Sequence, residues 1–433
     1  MRPLFSRFIP RLLFLAVFLS LLLGVIAYAR GYRYDTHSNL VTSTGIVAVS
    51  AFPKAAKVYV NGTLKGVTDL TVTLPPGQYH FDVREEGYTS WSKDLTVKGE
   101  VVLTLDVLLY PVNPTLSPLT NIGVVKAIPV EQTGKAILFS DTGDETKDGV
   151  YLFDSNKGPL SLLPPLKLLM LKKYLPVGID LTTAQMFFSP DYKQAILEVN
   201  YPDGPPSSSL SYLLSLEDEN TNQFDITLSK DTLIEAWNNE KDQNQLKILQ
   251  TFDPEFVKVA SDSFKMIAFS PDESKLLYYV KNLVDLPIVM KPRLIGTDQA
   301  PDVRSLSPNN VYVYDRKEDR NYILPIPGAD TLIKKNEIDG SIGWYPDSKH
   351  VAFKEIPPPP SPRRIFGPSP TPTKSSGEKI TMIDFDGTNK ETVYSGPFTP
   401  SFFAVGSDGS LIIMTNFNPD SNQLSDLYAI GIK

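Results

Sequence analysis

The longest uncharged apolar run in the chain is Leu12–Ala29. At 1.5 Å per residue, a helix over these positions spans about 27 Å, close to the hydrocarbon thickness of a bilayer. Arg2, Arg7 and Arg11 precede it, and Arg30 and Arg33 follow. Tyr28, Tyr32 and Tyr34 stand where interfacial aromatics are expected. The pattern predicts a cytoplasmic segment over 1–11, a transmembrane helix over 12–29 and a linker over 30–43. Ala27-Tyr28-Ala29 also fits a small-x-small cleavage pattern. The run exceeds the ~7–15 apolar residues of a usual signal core, which favours an uncleaved anchor. Either reading exports everything after residue 30.

Beyond the linker the pattern changes to short alternating runs. Gly45–Ser50, Lys57–Val60, Leu70–Leu74, Tyr79–Val83, Asp94–Val97 and Val101–Leu109 read as strands. Asn61-Gly62 supplies a hairpin turn, because both residues tolerate positive φ. Pro75-Pro76-Gly77 and Gly87-Tyr88 break the chain again. About seven short strands over 44–111, with no helical period, predict a small β-sandwich.

The turn residues of this region resemble the PEGA domain family. Pro53-Lys54-Ala55-Ala56 keeps the first and last positions of the family's Pro-Glu-Gly-Ala motif and departs at the two central ones. Val58-Tyr59-Val60-Asn61-Gly62, Thr68, Pro76-Gly77-Gln78-Tyr79 and Gly87-Tyr88 follow in the family's order. The resemblance implies a surface-protein interaction module and specifies no chemistry. His80 lies at an alternating strand position and is expected on the polar face. Trp91 is expected to cover the small core.

The rest of the chain, 112–433, repeats. Phe188-Ser189-Pro190-Asp191, Phe269-Ser270-Pro271-Asp272 and Trp344-Tyr345-Pro346-Asp347 each link two apolar strands. A weaker copy is Gly406-Ser407-Asp408-Gly409, and the earliest is Gln132-Thr133-Gly134-Lys135. Proline presets φ at the second turn position, and aspartate bonds the backbone beyond it. Third strands follow at Gly149–Asp154, Ser211–Leu216, Val311–Asp315, Ile380–Asp384 and Leu427–Ile430, and Tyr322–Pro325 reads as a fourth. Radially repeated four-stranded units make a β-propeller, here of five to six blades. The region is similar to TolB-like or WD40-like repeats, with Tyr192, Glu273 and Ser348 standing where the family has glycine.

The turn prolines lie 81 and 75 residues apart, more than a bare blade of about 40–50 residues, so insertions are required. Asp231–Thr251 has a helical period at Leu233, Trp237, Leu246 and Leu249, with Asp231 as candidate cap, and belongs to a lid or an edge of the ring. Leu166–Leu175 is either a helix over the barrel or a strand. Pro357–Gly377 is Pro/Ser-rich and reads as a mobile loop. A sixth, degenerate blade has room in 155–185 or 225–260. Ring closure is expected from a strand within Asn121–Ile128 beside the last blade.

The chemistry is sparse. The chain has no cysteine, which removes disulfides, Cys-ligated zinc and thiol catalysis, and points an exported protein to a bacterial envelope. His37, His80 and His350 share no local spacing. The chain carries a formal charge of −7, and −12 once the five N-terminal arginines are set aside, which argues against a nucleic-acid partner. No nucleophile elbow, phosphate loop or His-Glu-x-x-His occurs. Asp141, Asp144, Glu145 and Asp148 lack the order of a calcium loop and read as a solvated hairpin tip. No catalytic, cofactor-binding or metal-binding residue is assigned, and no cofactor is expected. The resulting expectation is an all-β protein on a single-pass anchor in the cell membrane. Its extracytoplasmic propeller face would bind an envelope protein or wall glycan. The alternatives are a propeller enzyme of lyase or glycosidase type, or a TolB-like envelope transport accessory.

Overall fold

The computed structural model describes residues 3–29, 32–35, 40–131, 133–156, 165–200, 209–335, 337–338, 340–355, 379–399, 402–417 and 424–432. The Pro/Ser-rich stretch 357–377 therefore lies outside the described residues. Two compact units emerge. One takes the chain up to Leu109 together with Pro292–Gln299, and the other takes Tyr110–Lys291 and Ala300–Lys433. The return of 292–299 to the first unit leaves no mark in the sequence pattern.

In the first unit, helix α1 runs over Pro3–Ala29. Pro10–Tyr28 within it is long and apolar enough to cross a membrane, as an anchor or as a signal sequence. The stretch expected to be a linker holds two paired strands, Tyr32–Asp35 and Leu40–Ser43. Seven strands then form two sheets. Gly45–Phe52 sits between Leu70–Leu74 and, in parallel, Val102–Leu108. The other sheet runs in the order Thr63–Val67, Lys57–Val60, Gly77–Arg84, Trp91–Val97. The inward positions Val47, Val49, Val58, Phe81, Trp91 and Leu105 share one core. The Asn61-Gly62 turn is present, with both residues at positive φ.

In the second unit the described residues form five blade-like antiparallel sheets. The first blade is Val124–Val130, Lys135–Ser140, Gly149–Asp154 and Leu166–Leu171. The second has three strands, Gln185–Phe188, Gln194–Asn200 and Ser209–Ser215, and Phe224 and Ile226 bond along its open edge. The third is Phe264–Phe269, Lys275–Val280, Val311–Asp315 and Arg320–Leu324. The fourth is Ile342–Trp344, His350–Glu355, Lys379–Asp384 and Glu391–Ser395. The fifth is Phe403–Val405, Leu411–Thr415 and Asp426–Ile430, completed by Leu116–Pro118 from the other end of the unit. The expected third strands are all present.

Blades pack face to face through mixed cores. Phe139 and Leu152 of the first meet Leu197 and Tyr212 of the second. Leu277 and Val313 of the third meet Trp344 and Phe353 of the fourth. Ile412 and Leu427 of the fifth meet Leu138 and Phe153 of the first. Helices α2 (Lys230–Leu249) and α3 (Pro254–Ser263) precede the third blade and cover its other face. Phe256 of α3 stacks on Tyr314 at 3.8 Å between centroids. A short α4 (Ala329–Lys335) lies between the third and fourth blades in sequence.

Four expectations are corrected. Closure uses Leu116–Pro118, not Asn121–Ile128; the latter span mostly belongs to the innermost strand of the first blade, though Val124 bridges Ser425. Residues 225–260 hold two helices in place of a sixth blade, and within 155–185 the strand Leu166–Leu171 completes the first blade. Asp231 sits in the first turn of α2, with Ser229 at the N-cap. Asp148 is buried rather than at a solvated tip. It accepts from Thr142 N (2.7 Å), Thr142 Oγ1 (2.8 Å) and Gly143 N (2.7 Å).

Closure is bonded by more than its ladder. Buried Asp426 accepts at Oδ1 from Thr120 Oγ1 (2.9 Å), Ile122 N (3.0 Å) and Gly123 N (3.4 Å). Removing the acceptor strands these donors, at a cost of about 2–4 kcal/mol. We expect Asp426→Ala to lower unfolding free energy by that amount in denaturant titrations of the detergent-solubilised full chain. Asp426→Asn keeps an oxygen at the same place and should lose clearly less.

Candidate functional site

A cavity of about 600 Å³ opens within the second unit where the first strands of four blades converge. Its walls come from the ends of those strands and the turns that follow them. The first blade gives Pro129–Glu131 and Thr133-Gly134, and the third gives Lys265–Ala268. The fourth blade gives Ile342–Trp344, and the fifth gives Phe403–Ser407. Helix α2 contributes Lys241, Asp242 and Gln245. The helix read from sequence as a lid or edge is thus one wall of the channel.

Local structure aims these groups. The strand Phe264–Phe269 slips register between Met266 and Ala268, a bulge that re-aims the side chains beside it. Lys265 precedes the bulge and is exposed. Trp344, which looks like a ligand-stacking residue, instead donates Nε1 to Ala268 O (3.3 Å) and ties the fourth blade to the third. Lys241 Nζ lies 2.5 Å from Glu131 Oε2, joining α2 to the first blade. Among the described residues no ion pair engages Lys265 or Asp242. The acids of the channel wall are Glu131 and Asp242, and Glu131 is already held by Lys241.

The repeated turns surround this channel without entering its chemistry. Asp191, Asp272 and Asp347 each accept, at Oδ1, the backbone N–H two residues on, at 3.1, 3.1 and 2.8 Å. Tyr192, Glu273 and Ser348, the residues replacing the family's glycine, all have φ between 54° and 61°. Burial pushes the Asp272 carboxyl up, but hydrogen bonds from Lys317, Ser270 and Ser274 outweigh it and hold the group well below the usual range.

His80 and His350 belong to different units, and His37 lies outside the described residues. His350 is buried at the start of the fourth blade's second strand. Its Nδ1 lies 2.6 Å from Asp347 Oδ2 and its Nε2 3.3 Å from Asp384 Oδ1, with the Tyr110 and Tyr345 rings edge-on to it. Burial disfavours its charge, but the two carboxylates win and raise its pKa to about 9. Asp347 is correspondingly lowered: burial raises it, and His350 more than offsets that.

In the first unit the motif residues sit at turns. Ala55 has φ 64° in the Pro53–Ala56 turn, where the family motif has glycine. Thr68 closes that turn, its Oγ1 accepting from Ala56 N at 3.1 Å. Tyr79 Oη donates to Pro75 O at 3.0 Å.

Residues 44–113 match the PEGA domain.

The match bears out the resemblance carried by those turns. No curated protein matches the chain. Among solved structures, TolB from Acinetobacter baumannii is similar at 10% identity, with 82% of this chain and 60% of that one covered and a TM-score of 0.23. The β-propeller domain of the trilobed protease from Pyrococcus furiosus is similar at 10% identity, covering 93% and 88%, with a TM-score of 0.18. These scores add nothing to what the chain's own sheets show. This chain spans about three-fifths of the TolB chain's length.

Within the PEGA domain, Trp91 is buried in the core as expected. His80 is half-exposed on the polar face, and its Nδ1 lies 2.6 Å from Asp94 Oδ1, a bond that raises its pKa. In the hairpin after the first blade's second strand, Asp144 bonds Thr146, and Asp141 pairs with Lys172 at 2.6 Å. Among the described residues no group of three or more His, Asp or Glu is placed to hold a metal.

Two measurements follow from these turns. A left-handed alanine costs about 1–2 kcal/mol, and glycine costs roughly 0.5–1 kcal/mol more in unfolded-chain entropy. Ala55→Gly should therefore stabilise the PEGA domain by up to about 1 kcal/mol in denaturant unfolding. A histidine whose folded pKa is raised stabilises fully below its unfolded value of 6.5, and that stability is lost as pH rises through about 9. Unfolding free energy should thus fall by up to about 3 kcal/mol between pH 6.5 and 9.5. His350→Gln should flatten that slope.

Proposed function

We propose that this chain is a membrane-tethered, extracytoplasmic binding protein whose propeller channel receives a segment of an envelope protein. The channel carries the reading. It has the volume of a ligand site and is walled by rigid strands and one helix. It presents one cation, Lys265, and one anion, Asp242, that no ion pair engages among the described residues. Unengaged charges of both signs beside Met266, Ile267 and Phe403 suit a polypeptide, which carries charge and apolar surface together. The PEGA domain acts as a spacer between tether and channel, and the tether is the uncleaved α1.

The role is one of binding rather than catalysis. A glycosidase needs two carboxylates, one protonated and one free, flanking the scissile bond. Here Glu131 is paired with Lys241, which leaves Asp242 as the acid of the wall that no ion pair engages among the described residues.

The test is affinity capture from detergent-solubilised bacterial envelopes, with full-length protein as bait. The double variant Lys265→Glu/Asp242→Lys keeps the net charge and reverses the two channel charges that no ion pair engages among the described residues. Wild type should retain a protein that the double variant holds at least tenfold less well, with melting temperatures alike. Equal retention by both would place the binding elsewhere. Capture of wall glycan alone would replace the protein reading with the glycan one.

A further inference from the structure

We propose that the sheet edge of the PEGA domain around Lys93, Thr96 and Val101 is a peptide-binding site, which the chain's own arm, Pro292–Gln299, occupies in cis. The partner it fits is an extended polypeptide segment with an acidic residue. This site is separate from the channel and does not rest on the reading of the channel.

The strand Trp91–Val97 ends its sheet. Gly77–Arg84 pairs with it on one side, and no described strand pairs with it on the other. Such an edge offers backbone donors and acceptors to an added strand. At Thr96 a side chain takes that place. Gln299 accepts from Thr96 N at 2.7 Å and donates to Thr96 O at 3.0 Å, the two bonds that an added strand would exchange with this residue. Lys93 selects by charge. Its Nζ lies 2.6 Å from Asp298 Oδ2, with the two side chains only 11% and 14% exposed. In the occupied site this cation is cut off from water, so an occupant has to bring a carboxylate. A third contact selects by size. Gly296 has φ 82°, and a Cβ there would lie 2.7 Å from Val101 Cγ1. The occupant is thus read at Gly296, Asp298 and Gln299.

The arm can leave without disturbing the blade that carries it. It is inserted between the second and third strands of the third blade, and its base has bonds of its own there. Val289 N and Met290 N both donate to Asp319 Oδ2 at 2.9 Å, and Arg304 Nη1 donates to Asp319 Oδ1 at 3.0 Å. No helix or strand stiffens residues 286–304. The large aliphatics of the tip bury little on docking, Leu294 being 49% and Ile295 72% exposed. Its hold therefore lies in polar bonds, which a segment of like chemistry can replace one for one. Attachment in cis gives the arm a high effective concentration, so it masks the site from weak competitors.

The test uses the full-length chain in detergent and a fluorescein-labelled synthetic peptide with the sequence of Pro292–Gln299. Two variants release the arm and leave the site intact. One is Gly296→Val/Asp298→Lys, and the other replaces 293–299 by a Gly/Ser segment of equal length. Fluorescence anisotropy should show both variants binding the peptide at least tenfold more tightly than wild type. Adding Lys93→Glu to either should abolish binding, and a peptide carrying Asp298→Lys should restore it. That rescue by charge reversal separates recognition from a merely structural role of Lys93. Equal binding by wild type and the release variants would show an unmasked site and overturn the proposal. So would release variants that fold, by circular dichroism, and bind no peptide. Binding that Lys93→Glu leaves unchanged would place the peptide elsewhere and overturn it too.

Discussion

A ring of sheets escapes exposed edges and fraying only when its two ends share one sheet. In this chain that constraint falls on three residue pairs, Leu116–Pro118 against Tyr428–Ile430. So short a ladder is a weak clasp, and the surroundings reinforce it. Gly431 N donates to Thr115 O and Leu119 N to Leu427 O, extending the pairing at both ends. Asp426 then holds residues 120–123 as they leave the fifth blade for the innermost strand of the first. One carboxylate thus fixes both the closure and the start of the next blade. The channel wall inherits its geometry from that step, since Pro129–Glu131 end the strand that begins beside Asp426.

Around the ring the repeated turns do a second job. Asp272 N donates to Ser348 Oγ, joining the turn of the third blade to that of the fourth. A Cβ on Gly409 would lie within 2.3 Å of Tyr345 Oη, so the turn of the fifth blade is packed on the fourth. Ser407 N donates to Ser155 Oγ of the first. Between the second and third blades in sequence the chain departs from this scheme. The third blade's uncovered face carries Tyr278, Tyr312 and Tyr314, bulky rings that meet the aromatic side chains of α3. Of the helix pair that covers this face, α2 also brings Lys241, Asp242 and Gln245 to a channel otherwise walled by the blades.

Much of this fold was legible because turns and alternation are local. Asn61-Gly62, Ser189-Pro190-Asp191 and Ser270-Pro271-Asp272 announce hairpins through residues that act within four positions. The strands around them follow from a period of two. What stayed hidden depends on contacts far apart in sequence. Leu116–Pro118 has no strand signature of its own and becomes one only against Tyr428–Ile430. Asp253-Pro254-Glu255 did carry a helix-start signal, with Asp253 accepting from Glu255 N, but it was submerged in a stretch read as a possible blade. The channel was invisible for the same reason: Glu131, Lys241 and Lys265 converge only after four blades and a helix have packed.

The positions that depart from family motifs also say where function should be sought. Ala55 takes the left-handed conformation at the PEGA motif's glycine position, and Tyr192, Glu273 and Ser348 do so at the propeller motif's. The backbone adopts the family geometry with the wrong residue, because the packed cores on either side leave it no alternative. Loss of those glycines is therefore a modest cost in stability and carries no message about binding. The departures with chemical content are the insertions, because blades satisfy their own backbone and leave little to offer a partner. Helix α2 supplies charged groups to the channel. The arm 292–299 supplies the exposed Leu294 and Ile295 to the unit that bears α1. A repeated fold gains specificity at the places where the repeat is interrupted, and in this chain those two interruptions serve different surfaces.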